Sequence, residues 1–441
     1  MNPPAADYYA GRPARQWWLV IALNLAATVA VIDRSVLSLL GDPIKHDLAL
    51  TDTQWGLIFG FAFALSNVLF TLPAGFFADR LSRRGLIAAG CLLWSAMTGV
   101  CGTVSGYLQL LLARAGVGGA ESIIHPCSFS MLRNSQSPER RGRAFAVYGM
   151  SLLVGAALGF MLAGALLRWL GRGGGAGWSP LEGLAPWRGV LLILSGLGIP
   201  AALLMLFVRE PARSSGGTAP EATVRAAVAH MRANWRVYVP VFLYSSCSSM
   251  KANAMGAFIA AIPQRRWQAS AADVGMTLGI LQLVFSITGL WIMGTLIDRL
   301  TRRHGVLGTV WVGAGCTLLG LLCSALAPVA PASGWFYALT AGDFLVGGSA
   351  FPIAGTIIAA ITPLANMGKT AAVQLAVYGV LGMGIGPAVV GVVSDRLFPH
   401  TGGIAPALGL ANAVFCGLSL LFALVLISAL RHRPQPPANA H

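Results

Sequence analysis

Gly75-Phe-Phe-Ala-Asp79-Arg80-Leu-Ser-Arg83-Arg84 lies between two long apolar segments. The pattern returns as Gly294-Thr-Leu-Ile-Asp298-Arg299-Leu-Thr-Arg302-Arg303. The glycine, the aspartate and three arginines keep their order and spacing across an offset of 219 residues, about half of the 441-residue chain. A polar, basic stretch cannot lie in hydrocarbon, so each copy is expected as a tight turn at a membrane face. A repeat at half the chain length in an apolar sequence points to a duplicated helical bundle.

Composition agrees. Hydrophobic residues make up 56% of the chain and charged residues 10%, which excludes a soluble domain of this length. The formal charge of +15 raises the question of nucleic acid. The basic residues sit in short loops between apolar runs, however, so there is no basic domain to hold one. Six of the seven cysteines (Cys91, Cys101, Cys247, Cys316, Cys323, Cys416) sit inside apolar stretches, and none forms a CxxC. Neither a disulfide framework nor a metal site is expected, and no cofactor is implied. The first apolar segment is too long for a signal-peptide core and lacks an A-x-A cleavage site, so it reads as a retained helix.

Twelve segments are long enough to cross about 30 Å of hydrocarbon at 1.5 Å per residue. They fall at 17–40, 53–78, 86–104, 107–132, 144–167, 187–208, 236–262, 272–297, 306–328, 335–361, 370–393 and 405–430. The fold class is therefore an all-α membrane protein, with two pseudo-symmetric six-helix bundles at 17–208 and 236–430. A short tail precedes them (1–16), and a proline-rich, disordered tail follows (431–441). The polar linker 209–235 carries a Ser-Ser-Gly-Gly stretch and a short surface helix near 222–233. Residues 138–143 read as a basic loop. Twenty of the 30 lysines and arginines fall on the side that holds both termini, and seven fall on the other. This bias puts the termini in the cytoplasm, in an inner membrane if the source is bacterial. Gly155, Gly159 and Gly164 in the fifth segment are echoed by Gly382, Gly386 and Gly391 in the eleventh. That spacing lets another helix approach closely, either for packing alone or for packing that also lets two halves rock.

Six ionisable residues lie well inside the segments: Asp33, Arg34, Arg114, Glu121, Lys251 and Asp343. A charge near the bilayer centre costs at least ~2.5–3.5 kcal/mol. Three acids and three bases therefore suggest mutual pairing around a wet cavity. Counting along the segments puts Asp33 and Arg114 roughly 10 Å below the outer surface, and Lys251 and Asp343 roughly 12–17 Å below it. Glu121 is nearly two turns beyond Arg114 on one face, nearer the middle. A carboxylate in a low-dielectric cavity gains proton affinity and a nearby arginine takes it away, so Asp33 and Glu121 are the proton-coupling candidates. Arg34, Arg114 and Lys251, with Asp343, are the substrate-binding candidates, arginine being able to grip an anionic group bidentately. Permanent ion pairs that fix helix packing are the alternative. His125, one turn past Glu121, reads either as an extension of a proton path or as a hydrogen-bonded packing histidine.

The repeated G-x-x-x-D-R-x-x-R-R loop resembles the signature of the major facilitator superfamily of secondary transporters, over about residues 17–430. The resemblance implies a gate in which Gly75, Asp79, Arg80, Arg83 and Arg84, and Gly294, Asp298, Arg299, Arg302 and Arg303, take part. In it the aspartates pair across the halves in the outward-facing state. Asp33-Arg34-Ser-Val-Leu-Ser-Leu-Leu, Pro43-Ile-Lys-His-Asp-Leu, Thr51-Asp-Thr-Gln-Trp-Gly-Leu and Leu112-Ala-Arg114-Ala-Gly-Val-Gly-Gly-Ala-Glu121 look like the bacterial spinster-like branch. That likeness implies that Asp33, Arg34, Arg114 and Glu121 are the functional charges and that the substrate is an amphiphilic lipid such as a lysophospholipid or sphingoid phosphate. Ala120-Glu121-Ser122 departs from the branch's Gly-Glu-Ala, and His125 is outside its pattern. The anion:cation symporter branch, which moves sugar acids and other carboxylates, shares the Asp-Arg pair and the Arg-x6-Glu spacing. No G-x-S-x-G, HExxH or complete P-loop is present, so neither an enzyme nor an ATP-driven pump is indicated. Isolated charges of mixed sign argue against a channel. The expectation is a monomeric, proton-coupled transporter working by alternating access.

Overall fold

The computed structural model describes residue 9 and residues 12–173, 183–213, 224–399 and 403–431. The expected disordered tail and the Ser-Ser-Gly-Gly part of the linker lie outside these residues. Regular structure among the described residues is helical throughout. Ten helices among the described residues are long and apolar enough to cross a membrane. Two further apolar segments, 107–135 and 235–266, are each broken in two, which gives twelve.

In chain order these are α1 (Pro13–Asp47), α2 (52–80), α3 (Arg83–Thr103), α4 (Tyr107–Glu121 and Ile124–Ser135), α5 (Pro138–Gly171) and α6 (Pro186–Ser195 and Gly198–Phe207). A short surface helix, Val224–Ala233, follows in the linker. Then come α7 (Trp235–Phe258 and Ala261–Arg266), α8 (Ala271–His304), α9 (Val306–Leu326), α10 (Ser333–Gly347 and Ala350–Ile361), α11 (364–397) and α12 (Ile404–Arg431).

The breaks follow from proline chemistry. Proline has no N–H to give the carbonyl four residues back, and its ring crowds that carbonyl. Pro126, Pro200, Pro263 and Pro352 deprive Ser122, Gly196, Ile259 and Gly348 in this way, and α4, α6, α7 and α10 each break at that carbonyl. Pro43 does the same to Leu39 in α1, yet α1 continues. Gln264 donates its side-chain amide to the Leu39 carbonyl at 3.3 Å, which replaces the lost bond. The helix thus runs seven residues past its expected end. Asp33 lies fourteen residues before the end of α1, about 21 Å along the axis rather than 10 Å. α2 and α11 each contain a π-helical stretch, at Leu57–Ala62 and Tyr378–Ile385. Such widened turns are frequent at functional sites.

Two expected loops prove helical. Residues 138–143 form the first turns of α5, with Pro138 at the start, where its missing N–H costs nothing. The second signature copy lies within α8. Its turn is displaced to Gly305, whose φ of +61° suits a residue without a Cβ. In the first copy the turn falls on Leu81 and Ser82, and the Ser82 hydroxyl caps α3 by accepting from the Gly85 N–H at 3.3 Å.

The helices gather into two compact units. One contains 1–216 with 255–284 and 387–407, and the other contains 217–254, 285–386 and 408–441. The glycine echo explains why parts of α8 and α11 join the first unit. A Cβ on Gly155 or Gly159 would sit 2.8 and 2.6 Å from the Thr28 and Ile32 carbonyls of α1, and one on Gly164 would sit 2.7 Å from the Ala272 carbonyl of α8. In the second unit, Gly382 and Gly386 press on Ser249 and Met250 of α7. Gly391, in the first unit, presses on the Asp52 carbonyl of α2 at 2.3 Å. Each glycine helix thus seals one neighbour along its first two glycines and another along its third.

Gly159→Leu is expected to lower the melting temperature in detergent by several degrees, since forcing a side chain against backbone costs about 1–3 kcal/mol. Gly149→Ala, where a Cβ meets nothing within 4 Å, is expected to leave it unchanged or slightly raised.

Candidate functional site

α1 and α4 carry four charges of the first unit into contact. Arg114 donates Nη1 to Asp33 Oδ2, and Thr98 of α3 donates its hydroxyl to Asp33 Oδ1 at 3.2 Å. Asp33 is 4% exposed and Arg114 1%, so this pair is closed. Next to it, Arg34 Nη2 reaches Glu121 Oε2 at 3.3 Å. The Arg34 side chain is 31% exposed and that of Glu121 only 7%. The second pair is therefore held by a single contact and opens on one side. Phe63 of α2 lies beneath both arginines, with the Arg34 Cζ 3.9 Å and the Arg114 Cζ 5.4 Å from its ring centroid. A cation over an aromatic face is stabilised without being neutralised. Arg34 Nε, Arg114 Nε and Glu121 Oε1 are buried and have no hydrogen-bond partner among the described residues. Unsatisfied donors and an unsatisfied acceptor in one place are what a polar ligand or an exchanging proton requires.

Lys251 and Asp343 meet in the second unit, Nζ to Oδ1, at 2.5 Å. They are 5% and 4% exposed and lie near Gly320 of α9. The structure thus joins Asp33 with Arg114, Arg34 with Glu121, and Lys251 with Asp343.

At the end of the bundle opposite the signature turn, the first unit holds a seam of charges that the sequence alone places in loops. Arg265 forks onto Asp42, with Nε at 2.8 Å from Oδ2 and Nη2 at 2.6 Å from Oδ1, and its Nη2 also reaches Asp52 at 3.0 Å. Lys45 pairs with Asp52 as well. Asp395 of α11 accepts from the Asp52 and Thr53 N–H groups at 3.2 and 2.8 Å, and Ser394 donates to Asp52 at 2.7 Å. A carboxylate on the first N–H groups of α2 is a favourable cap. Trp55 Nε1 donates to the Ala257 carbonyl at 3.1 Å.

Residues 23–250 match the Major Facilitator Superfamily. The chain belongs to this family. It is an integral membrane transporter and not an enzyme. Over 426 residues it is 30% identical to a protein of Mycolicibacterium smegmatis described as an MFS-type efflux pump, covering 95% of this chain and 92% of that one. Over 184 residues it is 26% identical to the probable L-galactonate transporter of Escherichia coli, covering 42% of this chain and 37% of that one. Its fold is similar to the crystal structure of a bacterial homolog of the human lysosomal transporter Spinster in an inward-facing, unoccupied conformation. The TM-score is 0.77 at 23% identity, covering 97% of this chain and all of the other.

The two signature copies of this superfamily member behave differently. Arg83 is buried and gives Nε to Glu210 at 2.8 Å, Nη1 to Ser130 at 2.9 Å and Nη2 to the Pro211 carbonyl. Ser82 gives its hydroxyl to Glu210 at 2.8 Å. Arg84 reaches the Val208 carbonyl at 3.1 Å, and Arg213 returns to the Leu81 carbonyl. The first turn is therefore clasped to the start of the linker. Arg80 instead stacks over Phe76 at 3.8 Å. In the second copy Arg302 reaches only the Asp298 carbonyl, at 3.2 Å. The carboxylates of Asp79 and Asp298, and the guanidiniums of Arg299 and Arg303, make no hydrogen bond or ion pair among the described residues.

Partial burial raises the proton affinity of Glu210, but the hydrogen bonds from Arg83 and Ser82 outweigh it and hold the carboxyl below its ordinary range. A lowered folded-state value means that the clasp stabilises above the ordinary carboxylate range and that this contribution is lost as pH falls through the folded value. Glu210→Gln is accordingly expected to melt lower than the parent at neutral pH. The difference should close in acid, as read by melting curves across pH.

Proposed function

We propose that the protein exchanges an organic anion for, or with, protons by alternating access, with Arg34 as the anion ligand and Glu121 as the proton carrier. The difference between the two pairs carries this reading. Asp33–Arg114 is closed, with Asp33 held by Thr98 as well, and it ties α1 to α4. Arg34–Glu121 is held by one 3.3 Å contact, with a partly exposed Arg34 side chain and an orphaned carboxylate oxygen. An anion entering against Arg34 competes with Glu121 for the same donors. Glu121 then loses its stabilising cation, and a buried carboxyl without one favours the protonated form. Anion binding and protonation are thereby coupled at one guanidinium.

The cargo class proposed is an amphiphilic anion, a lysophospholipid or sphingoid-type lipid, on the spinster-like branch of the superfamily. The likeness to the Spinster homolog and to an efflux pump over almost the whole chain supports this class. The galactonate transporter matches only part of the chain, and it favours a second reading, a symporter of sugar acids. Lys251 and Asp343 complete the charge set from residues 236–430, which act as the second half against residues 17–208. The signature carboxylates Asp79 and Asp298, free of bonds among the described residues, are available for pairing in the opposite state. The seam around Arg265 and Asp52 is the outer closure. Both termini lie in the cytoplasm of an inner-membrane monomer.

Thermal-shift measurements in detergent test the cargo class, since a ligand that prefers the folded state raises the melting temperature. Lysophospholipids and sphingoid phosphates are compared with gluconate, galactonate and dicarboxylates at two pH values. The lipids are expected to stabilise the parent more at acid pH and to lose this effect in Arg34→Ala. Glu121→Gln is expected to bind without pH dependence. Stabilisation by the sugar acids alone moves the protein to the second reading, and unchanged pH dependence in Glu121→Gln removes the proton role.

A further inference from the structure

α4 is interrupted directly after Glu121, where Pro126 leaves the Ser122 carbonyl without its helical donor. The first residues beyond the break bring in His125, one turn further toward the end at Ser135. From that end His125 is ten residues up α4, and Tyr148 is ten residues up α5 from its start at Pro138. Both therefore lie about 15 Å from the ends of α4 and α5 that meet there. They meet, Nδ1 to the tyrosine hydroxyl, at 2.9 Å. Phe129 and Phe145 complete an aromatic wall, with ring centroids of Phe129 at 6.1 Å from His125 and 5.5 Å from Phe145 and Tyr148. Whichever atom donates, the bond occupies Nδ1 and leaves Nε2 as the exchanging nitrogen. Among the described residues Nε2 makes no hydrogen bond. Glu121, whose Oε1 is buried without a hydrogen-bond partner among the described residues, precedes His125 by four residues on α4.

We infer that His125 is the proton relay between Glu121 and the signature-turn end of the bundle, with Tyr148 as its positioning residue. The inference rests on the proton-carrying role of Glu121. The transfer is a plain acid–base step. A proton from bath water binds Nε2 of the neutral ring, whose other proton is on Nδ1 and is given to the Tyr148 oxygen. The Nε2–H bond then breaks as an O–H bond forms at Glu121 Oε1, and the ring returns to its starting tautomer. The titratable and charged groups around the imidazole are few. α1 contributes Arg34, which acts on both His125 and Glu121. α4 contributes Glu121 and Cys127, α5 contributes Tyr148, and α3 contributes Cys91, near Tyr148. The Ser128 hydroxyl of α4 also lies against Tyr148, so one further polar side chain backs the pair.

Infrared difference spectroscopy of the full chain in lipid bilayers, after a rapid change from alkaline to acid pH, reads the relay without any substrate. The protonated-carboxyl band of Glu121 is identified by its loss in Glu121→Gln. In His125→Ala the band is expected to reach its parental amplitude at least about tenfold more slowly, in keeping with the size of positioned proton transfer. Free imidazole in the bath is expected to restore the rate. Tyr148→Phe is expected to fall between. A purely packing histidine gives no imidazole rescue. A parental rate in His125→Ala, or a slowed rate that imidazole leaves unchanged, overturns the relay. Absence of any Glu121-dependent band in the parent overturns the proton role of Glu121 itself. If His125→Ala fails to fold, His125→Gln is measured in the same way, with its rate set against Tyr148→Phe.

Discussion

An ionised side chain in a low-dielectric bundle is tolerable only when its partner is fixed beside it, because desolvation costs several kcal/mol per ion and mutual attraction must repay it. This constraint shapes both units. In the first, an acid on α1 meets a base on α4. In the second, a base on α7 meets an acid on α10. The two pairs join corresponding helices, the first and fourth of each half, with the signs exchanged. Each pair ties the first helix of its half to the fourth, so the polar groups at the centre also define which helices touch. Among the three described intramembrane pairs Arg34–Glu121 is the least closed: Arg34 rests on the Phe63 ring and its side chain is 31% exposed.

The backbone is subject to the same rule. A carbonyl without a donor in hydrocarbon is costly, so a proline inside a segment favours either a break or a substitute donor, although α2 continues past Pro73. The two solutions are distributed differently. Pro43 has Gln264 as substitute, and α1 stays straight enough to carry Asp33 and Arg34 well below its end. Pro126 and Pro352 interrupt α4 and α10, the two helices that carry Glu121 and Asp343. Two of the four proline breaks thus fall on the helices that carry buried acids, while the helix that carries Asp33 and Arg34 continues unbroken.

Much of this was legible in the chain. The repeated signature, the twelve apolar runs and the six intramembrane charges are one-dimensional features, and the pairing of Asp33 with Arg114 follows from cost alone. Thr51 and Gln54 form a capping box at the start of α2, with both of its bonds made. The continuation of α1 past Pro43 was not legible, because it depends on the side-chain amide of a residue as remote in the chain as Gln264. Nor was the seam. Asp42, Asp52, Arg265 and Asp395 each look like an ordinary charge at a segment end, and only three-dimensional proximity makes them one cluster. The extent of the second signature copy was missed for a related reason. Thr301 bonds Thr309 at 2.6 Å rather than capping a new helix, so the turn waits for Gly305.

The asymmetry of the two signature copies then has a physical origin in the chain that succeeds each half. After α6 the chain continues into a linker whose first residues include Glu210, and a buried Arg83 requires such an acid. After α12 the corresponding stretch is Arg431-His432-Arg433, which offers no carboxylate to a second clasp. Arg302 therefore turns back on its own helix, and Arg299 and Arg303 stay unpaired among the described residues. A turn locked to a linker resists displacement, whereas a helix end with unpaired arginines can exchange partners at little cost. The two signature copies are alike in sequence, and Glu210, which follows the first half, clasps only the first of them.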